Sequence, residues 1–248
     1  MAILSTSGTS KSGKSTFIKH FQKKYKKYGT PSETYRDIPN LKLYGQGTQE
    51  SQARIRDFMY DQAKETWAKR DTQKNVIHDR CLLDNLAATM ILMGNGDGTI
   101  SDSFFTESME KTKASMEFYH CVYYFPIESP DNIPLPESLD KEYRLKMNII
   151  LESFVLAKEK DDADRRDTLF PEKNCTYIER VTGASVEERL SFVSEILDEN
   201  GAFISEEESQ GNMNSSILDA SGNVADNGKA DITLDDFGFE REKINLDV

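Results

Sequence analysis

The chain has 248 residues, of which 30% are charged and 37% hydrophobic, and 43 acidic against 31 basic side chains leave a net charge of -12. A surplus of negative charge on this scale argues against a protein that coats nucleic acid, because such binding runs on neutralising phosphates. Cys81, Cys121 and Cys175 are odd in number and form no C-x-x-C pair, which points away from a disulfide framework or a zinc site and toward a reducing, cytoplasmic setting.

The first element is AILST, Ala2 to Thr6, which reads as a short buried strand. With a strand this close to the front, no signal peptide is expected, and no apolar run approaches the ~20 residues that cross a bilayer. The next nine residues, Gly8, Thr9, Ser10, Lys11, Ser12, Gly13, Lys14, Ser15 and Thr16, contain the complete pattern G-x-x-x-x-G-K-[ST]. The chemistry needs these types at this spacing. Glycines let the backbone curl so that its amides face phosphate oxygens, the lysine reaches the β- and γ-phosphates, and the hydroxyl of Ser15 holds Mg²⁺. A helix from Ser15 to Gly29 is expected next, with Phe17, Ile18 and Phe21 on its inner face. Tyr25, Tyr28 and their lysine neighbours read as a basic patch on its exposed surface.

Ser32 to Ile38 reads as a second strand edge or the loop after it, with Glu33 and Arg36 as charges at the rim. Gln49 to Asp71 is a long helix, with Ile55, Met59, Ala63 and Trp67 sharing one face. KNVIHDR is a strand ending in Asp79-Arg80. Cys81 to Gly94 is a buried helix carrying Asp84 near its start. Asp102 to Tyr119 is a helix capped by Ser101 or Asp102. HCVYYFPI is a strongly β-prone strand. The segment around Arg144 has Leu139, Tyr143, Met147 and Ile150 as its apolar side, and a lid is expected within residues 129–170, with Arg165 and Arg166 in or beside it. CTYIERV is the last strand and SVEERLSFVSEILDEN the closing helix. Alternating strands and helices of this kind give an α/β three-layer sandwich around a mostly parallel, five-stranded sheet. Ligands then bind at the carboxyl ends of the strands, where the phosphate loop and Asp79-Arg80 lie.

Residues 1–200 form the expected catalytic body. Residues 201–248 carry eight of the twelve net negative charges and read as an acidic tail, disordered or loosely docked. DASGNVADNGKAD within it resembles a calcium loop but has Val224 where that loop needs glycine. Ile232, Leu234, Phe237 and Phe239 restore apolar spacing near the end, as a docking element for the body or a protein partner.

A phosphate loop gives nucleotide binding, not a reaction. The guanine-reading N-K-x-D and the D-x-x-G of GTPases are not in place, and the Asp-Glu strand end of helicases and AAA+ motors is replaced by Asp-Arg. Four segments, GTSKSGKST, HDRCLLDNLA, PLPESLDKEYR and VTGASVEERLSFV, resemble the AAA-like ATPase/kinase family that includes the nicotinamide riboside kinase domain, and more broadly the nucleoside and nucleotide kinases. The resemblance runs from Met1 to Asn200, and the size and acidic tail suit a phage-encoded member. It implies ATP and Mg²⁺ as cofactors. It further implies Asp79 as a Mg²⁺ partner or general base, Arg80 on the acceptor side, Arg144 as a lid arginine by the phosphates, and Thr182 and Gly183 against the adenine. Glu33, Arg36, Arg80 and Asp84 are then candidates to hold a nucleoside or nucleotide acceptor. The acceptor region departs from the riboside-kinase pattern, so the substrate does not carry over. The alternative is a regulatory or assembly ATPase with the tail as its partner-binding element.

Overall fold

The computed structural model describes residues 1–39, 41, 47–72, 74–95, 99–128, 135–137, 139–159 and 176–203. Arg165, Arg166, Cys175 and the calcium-like segment lie outside them, as does the chain beyond Phe203. Met1–Ile204 form one compact unit. Its strands are β1 (Ile3–Ser7), β2 (Tyr28–Gly29), β3 (Asn75–Asp79), β4 (Cys121–Tyr124) and β5 (Tyr177–Arg180). Its helices are α1 (Lys14–Lys24), α2 (Gln49–Ala68), α3 (Leu82–Gly94), α4 (Asp102–Ser115), α5 (Lys141–Glu159) and α6 (Val186–Ile196). The sheet has five strands in the order β2-β3-β1-β4-β5, and every pair is parallel.

Side chains alternate across this sheet with the period of two that a strand imposes. Ala2, Leu4, Cys121 and Tyr123 turn to one face and meet Phe17, Ile18 and Phe21 of α1 and Val193 of α6. Ile3, Val122 and Tyr124 turn to the other and meet Ala63 of α2, Leu83, Leu86 and Ile91 of α3, and Met147 and Leu151 of α5. On α2, Met59 and Ala63 are buried as their spacing required, and Trp67 packs partly buried on the same cluster.

Two expectations at the β2 edge need correction. Helix α1 stops at Lys24 rather than Gly29, and Tyr28–Gly29 is the second strand. Tyr25 and Tyr28 are then core residues, 2% and 4% exposed, packed around Phe21 with ring centroids 4.9 Å apart in each case. The flanking lysines obscured them, because a helical surface and a buried aromatic turn have the same local composition. Ser32 to Ile38 is a loop with one 3-10 turn at Tyr35–Asp37, capped by Thr34. Beyond α6, Tyr28 Oη donates to the Gly201 carbonyl at 2.8 Å, and Phe203 bridges to Leu197, so the body carries the chain through Phe203. No helix among the described residues is long and apolar enough to cross a membrane.

Candidate active site

Register brings the site together. Thr6 of β1 stands opposite Asp79 of β3, and Ser7 opposite Tyr124 of β4. The loop from Gly8 to Gly13 therefore leaves the sheet beside Asp79-Arg80, at the carboxyl ends of three strands. Two of its turns need glycine. A Cβ on Gly8, at φ +142°, would sit 2.6 Å from the Phe125 carbonyl oxygen, and Gly13 has φ +96° with Arg189 Nη1 2.3 Å from where a Cβ would lie.

Five successive carbonyls of the loop, Gly8 to Ser12, each accept a hydrogen bond from a cationic side chain. Lys14 Nζ donates to the Gly8 and Thr9 oxygens, both at 2.6 Å, and to Ser12 Oγ at 3.2 Å. Arg80 Nη1 donates to Gly8 O at 3.4 Å. Arg144 Nε donates to Ser10 O at 2.9 Å and Nη2 to Lys11 O at 3.5 Å. Arg189 Nη1 donates to Ser12 O at 2.7 Å. A run of backbone whose carbonyls are tied to cations on one side is a scaffold for amides that gather an anion on the other. Burial, and then the charge of Arg80, lower the Lys14 pKa from 10.5 to about 7 against the opposing pull of Asp84 and Asp79.

Asp84 braces the loop from behind. It is 4% exposed and is the third residue of α3. Its Oδ1 accepts from Arg80 Nη1 at 2.8 Å and from the Gly8 amide at 3.2 Å, and its Oδ2 accepts from the Cys81 amide at 3.4 Å. Arg80 is held in a left-handed conformation, φ +92°, of the strained kind that clusters at functional sites. Ser15 Oγ donates to Asp79 Oδ2 at 3.5 Å, and the exposed Arg36 has Nη1 3.9 Å from the same oxygen. Thr16 follows on the exposed first turn of α1. A hydroxyl and a carboxylate this close are hard oxygen donors that fit Mg²⁺, which takes few protein ligands and completes its shell with water and phosphate. Among the described residues no cluster of three or more His, Cys, Asp or Glu offers a competing cage.

On the far side of the loop, Gly183 has φ +126°. Its amide donates to Glu128 Oε1 at 2.6 Å, and its carbonyl accepts from Arg189 Nε at 2.9 Å. Thr182 precedes it, partly buried. Arg189 thus ties the Gly183 turn to the phosphate loop. It was not legible as functional, because an arginine in VEERL on a helix reads as a solvated charge.

Two recesses meet beside Arg80, sharing Tyr35 and Met59 as well. The narrower, about 160 Å³, is lined by Thr9, Ser10, Gln52, Asp84, Asn85 and Tyr143 among others. Asn85 Nδ2 donates to Gln52 Oε1 there at 2.8 Å. The wider, about 260 Å³, has Ser15, Glu33, Phe58, Gln62, His78 and Asp79 in its wall. Glu33 is exposed on its rim, with its carbonyl bound by Gln62 Nε2 at 2.8 Å. Glu33, Asp79 and Arg80 thus stand in the wall of the wider recess with Arg36 beside Asp79, and Asp84 is buried in the wall of the narrower one.

No family model and no curated protein matches this chain. Solved structures do. A deoxyadenosine kinase from M. mycoides, with dCMP and dCDP bound, superposes with a TM-score of 0.56 at 14% identity, covering 77% of this chain and 96% of the other. Its fold is a P-loop kinase fold. The thymidylate kinase of Candida albicans matches with a TM-score of 0.50 at 12% identity over 83% of this chain and 95% of that one. The NadR protein, in complex with NAD and AMP-PNP, matches with a TM-score of 0.53 at 11% identity, over 83% of this chain and 51% of the other. Within the P-loop kinase fold, Gly8–Ser15, Asp79 and Arg80 occupy the carboxyl ends of β1 and β3, where the parallel sheet focuses ligands.

Proposed function

We propose that this chain transfers the γ-phosphoryl group of ATP to a nucleoside, a nucleotide or a related small acceptor. The observation that carries the reading is the convergence of Ser15, Asp79, Arg36 and Arg80 between the phosphate loop and two recesses. A plain ATPase has no need of a second recess at that point. The fold's likeness to the deoxyadenosine and thymidylate kinases supports the same choice.

In this reading the amides of Gly8 to Ser15 hold the β- and γ-phosphates, and Lys14 exchanges its loop carbonyls for phosphate oxygens. Arg144 and Arg189 keep the loop rigid, so the amides are preorganised before the nucleotide arrives. Ser15 and Asp79 would hold Mg²⁺, which supplies neutralisation of phosphate charge. Thr182 and Gly183 flank the adenine. The acceptor enters past Glu33 and Arg36, and its oxygen attacks the γ-phosphorus in line with the departing ADP oxygen. Arg80, fixed by Asp84, faces the charge spread over the moving group. In the same reading Asp79 takes the proton of an acceptor hydroxyl.

The test is product formation with ATP against a panel of nucleosides, nucleotides and nicotinamide riboside. Appearance of a phosphorylated acceptor, with ADP in equal amount, is expected for one class of compound. ATP consumption that responds only to a macromolecule would move the assignment to a regulatory or assembly ATPase.

A further inference from the structure

The first 32 residues contain seven lysines and no acid, although the whole chain carries 43 acidic side chains. The fold decides where these lysines point. Phe17, Ile18 and Phe21 of α1, and Tyr25 and Tyr28 after it, are buried against the sheet. The polar side of the same segment therefore turns outward, with Lys19, Lys23, Lys26 and Lys27 exposed on it. None of these four makes an ion pair among the described residues. Lys19 also stands in the wall of the wider recess, beside Ser15, Ile18 and Gln22 of the same helix. Positive charge at the carboxyl end of a helix offsets the macrodipole, which accounts for Lys23 in the last turn of α1. It does not account for Lys19, one turn earlier, or for Lys26 and Lys27, which lie past the helix in the turn before β2.

We infer that these lysines form a track for the phosphates of a short single-stranded nucleic acid whose terminal nucleoside occupies the wider recess. The use of that recess by an acceptor rests on the transfer proposed above, and the acceptor is then the end of a strand rather than a free nucleoside. The track starts at the recess. Lys19 is in its wall, Lys23 follows one helical turn on, about 6 Å away, and Lys26 and Lys27 continue the positive charge beyond it. Successive phosphates of an unstacked strand lie at a comparable spacing. The apolar side of α1 is spent on the core, so it has nothing to insert into a bilayer as an interfacial helix does. An acidic protein segment offers nothing to fill the recess where the track begins, whereas a terminal nucleoside suits about 260 Å³ beside Tyr35 and Phe58. The net charge of -12 confines the contact to this strip. Elsewhere on the protein a strand is repelled, which excludes coating and leaves a local, end-on grip.

The probes are mixed-sequence oligodeoxynucleotides with hydroxyls at both ends, as dimers, tetramers and dodecamers, titrated calorimetrically without ATP. Affinity is expected to rise from dimer to tetramer and then to level off, with the dodecamer within about 2-fold of the tetramer, because an anchored end leaves the rest of a longer strand free. Three phosphate contacts on a single strand give log K against log salt a slope of about -2, so tetramer affinity should fall about 20-fold between 50 and 200 mM salt. Lys19→Gln and Lys23→Gln should each take about 0.7 off the magnitude of that slope, and the double variant about 1.4. Lys146→Gln, exposed on α5 across the sheet, should leave it unchanged. Each of four results would overturn the inference. The first is no tetramer binding at millimolar concentration in low salt, and the second is a slope unchanged in the double variant. The third is an affinity that keeps climbing in the dodecamer, which removes the anchored end. The fourth is hexaglutamate or phosphatidylserine vesicles held by the same lysines at least as tightly as the tetramer, which would assign the strip to an acidic protein or a membrane. Binding is read without transfer, so strands that bind by this pattern and are not phosphorylated would keep the track and remove the proposed reaction, whereas phosphorylation of free nucleosides with any of the four results would do the reverse.

Discussion

Asp84→Ala separates a brace from a substrate ligand. The carboxylate is 4% exposed and accepts from Arg80, from the Gly8 amide and from the Cys81 amide. Its removal strands the Arg80 guanidinium, itself only 13% exposed, and leaves two amides without an acceptor. Breaking one partner out of a buried pair costs about 3–5 kcal/mol. At ~2–4 °C per kcal/mol for a body of this size, the melting temperature should fall by roughly 6–20 °C. Asp84→Asn keeps one oxygen for the amides and should lose less. The double variant Arg80→Gly/Asp84→Leu removes both charges, and glycine also relieves the backbone at φ +92°. It should therefore regain at least half of the loss. Denaturant and thermal unfolding of the four proteins measure this directly. A single variant Asp84→Ala within about 1 kcal/mol of the parent, or a double variant no more stable than Asp84→Ala, would refute the buried-brace account.

Lys14→Ala should abolish ATP turnover while the fold holds, because burial already disfavours the ammonium and its loss removes that penalty; normal turnover in a folded variant would remove the loop from the reaction. Asp79→Asn should keep ATP affinity and cut turnover by ~10²-fold or more, whereas Arg36→Ala, which removes an exposed side chain set against Asp79 and the Tyr35 ring, should raise the acceptor KM with ATP affinity intact; steady-state kinetics in both substrates reads each. Asp57 is subject to burial, which would raise its pKa, but Arg56 and Lys111 outweigh this and hold it below 3.8. Its contribution is present above the unfolded pKa and lost as pH falls through the lowered folded value, so Asp57→Asn should flatten the acid limb of stability against pH below ~4. Truncation after Ile204 should leave ATP binding and melting temperature nearly unchanged, since the removed stretch is acidic and poor in large apolar side chains; a loss of several degrees would show that the tail stabilises the body.

The sequence alone determined the order of elements, the parallel sheet and the phosphate loop, because each rests on local physics. Strand and helix periodicities are visible within ten residues, and the loop's glycines are needed by its own backbone. Asp79-Arg80 was legible for the same reason, as a charged pair ending an apolar strand. What the tertiary structure alone decided is which distant cations meet the loop. Arg144 reaches Ser10 across 134 residues and Arg189 reaches Ser12 across 177. In sequence each is one charge on an amphipathic helix, and only the family resemblance pointed Arg144 toward the phosphates; the bonds of both to the loop carbonyls arise when α5 and α6 pack on opposite faces of the sheet. Asp84 was a candidate for the acceptor in sequence, but what its carboxylate holds was not legible there. Only the register of β3 against β1 brings the start of α3 beneath the phosphate loop, where Asp84 accepts from the Gly8 amide.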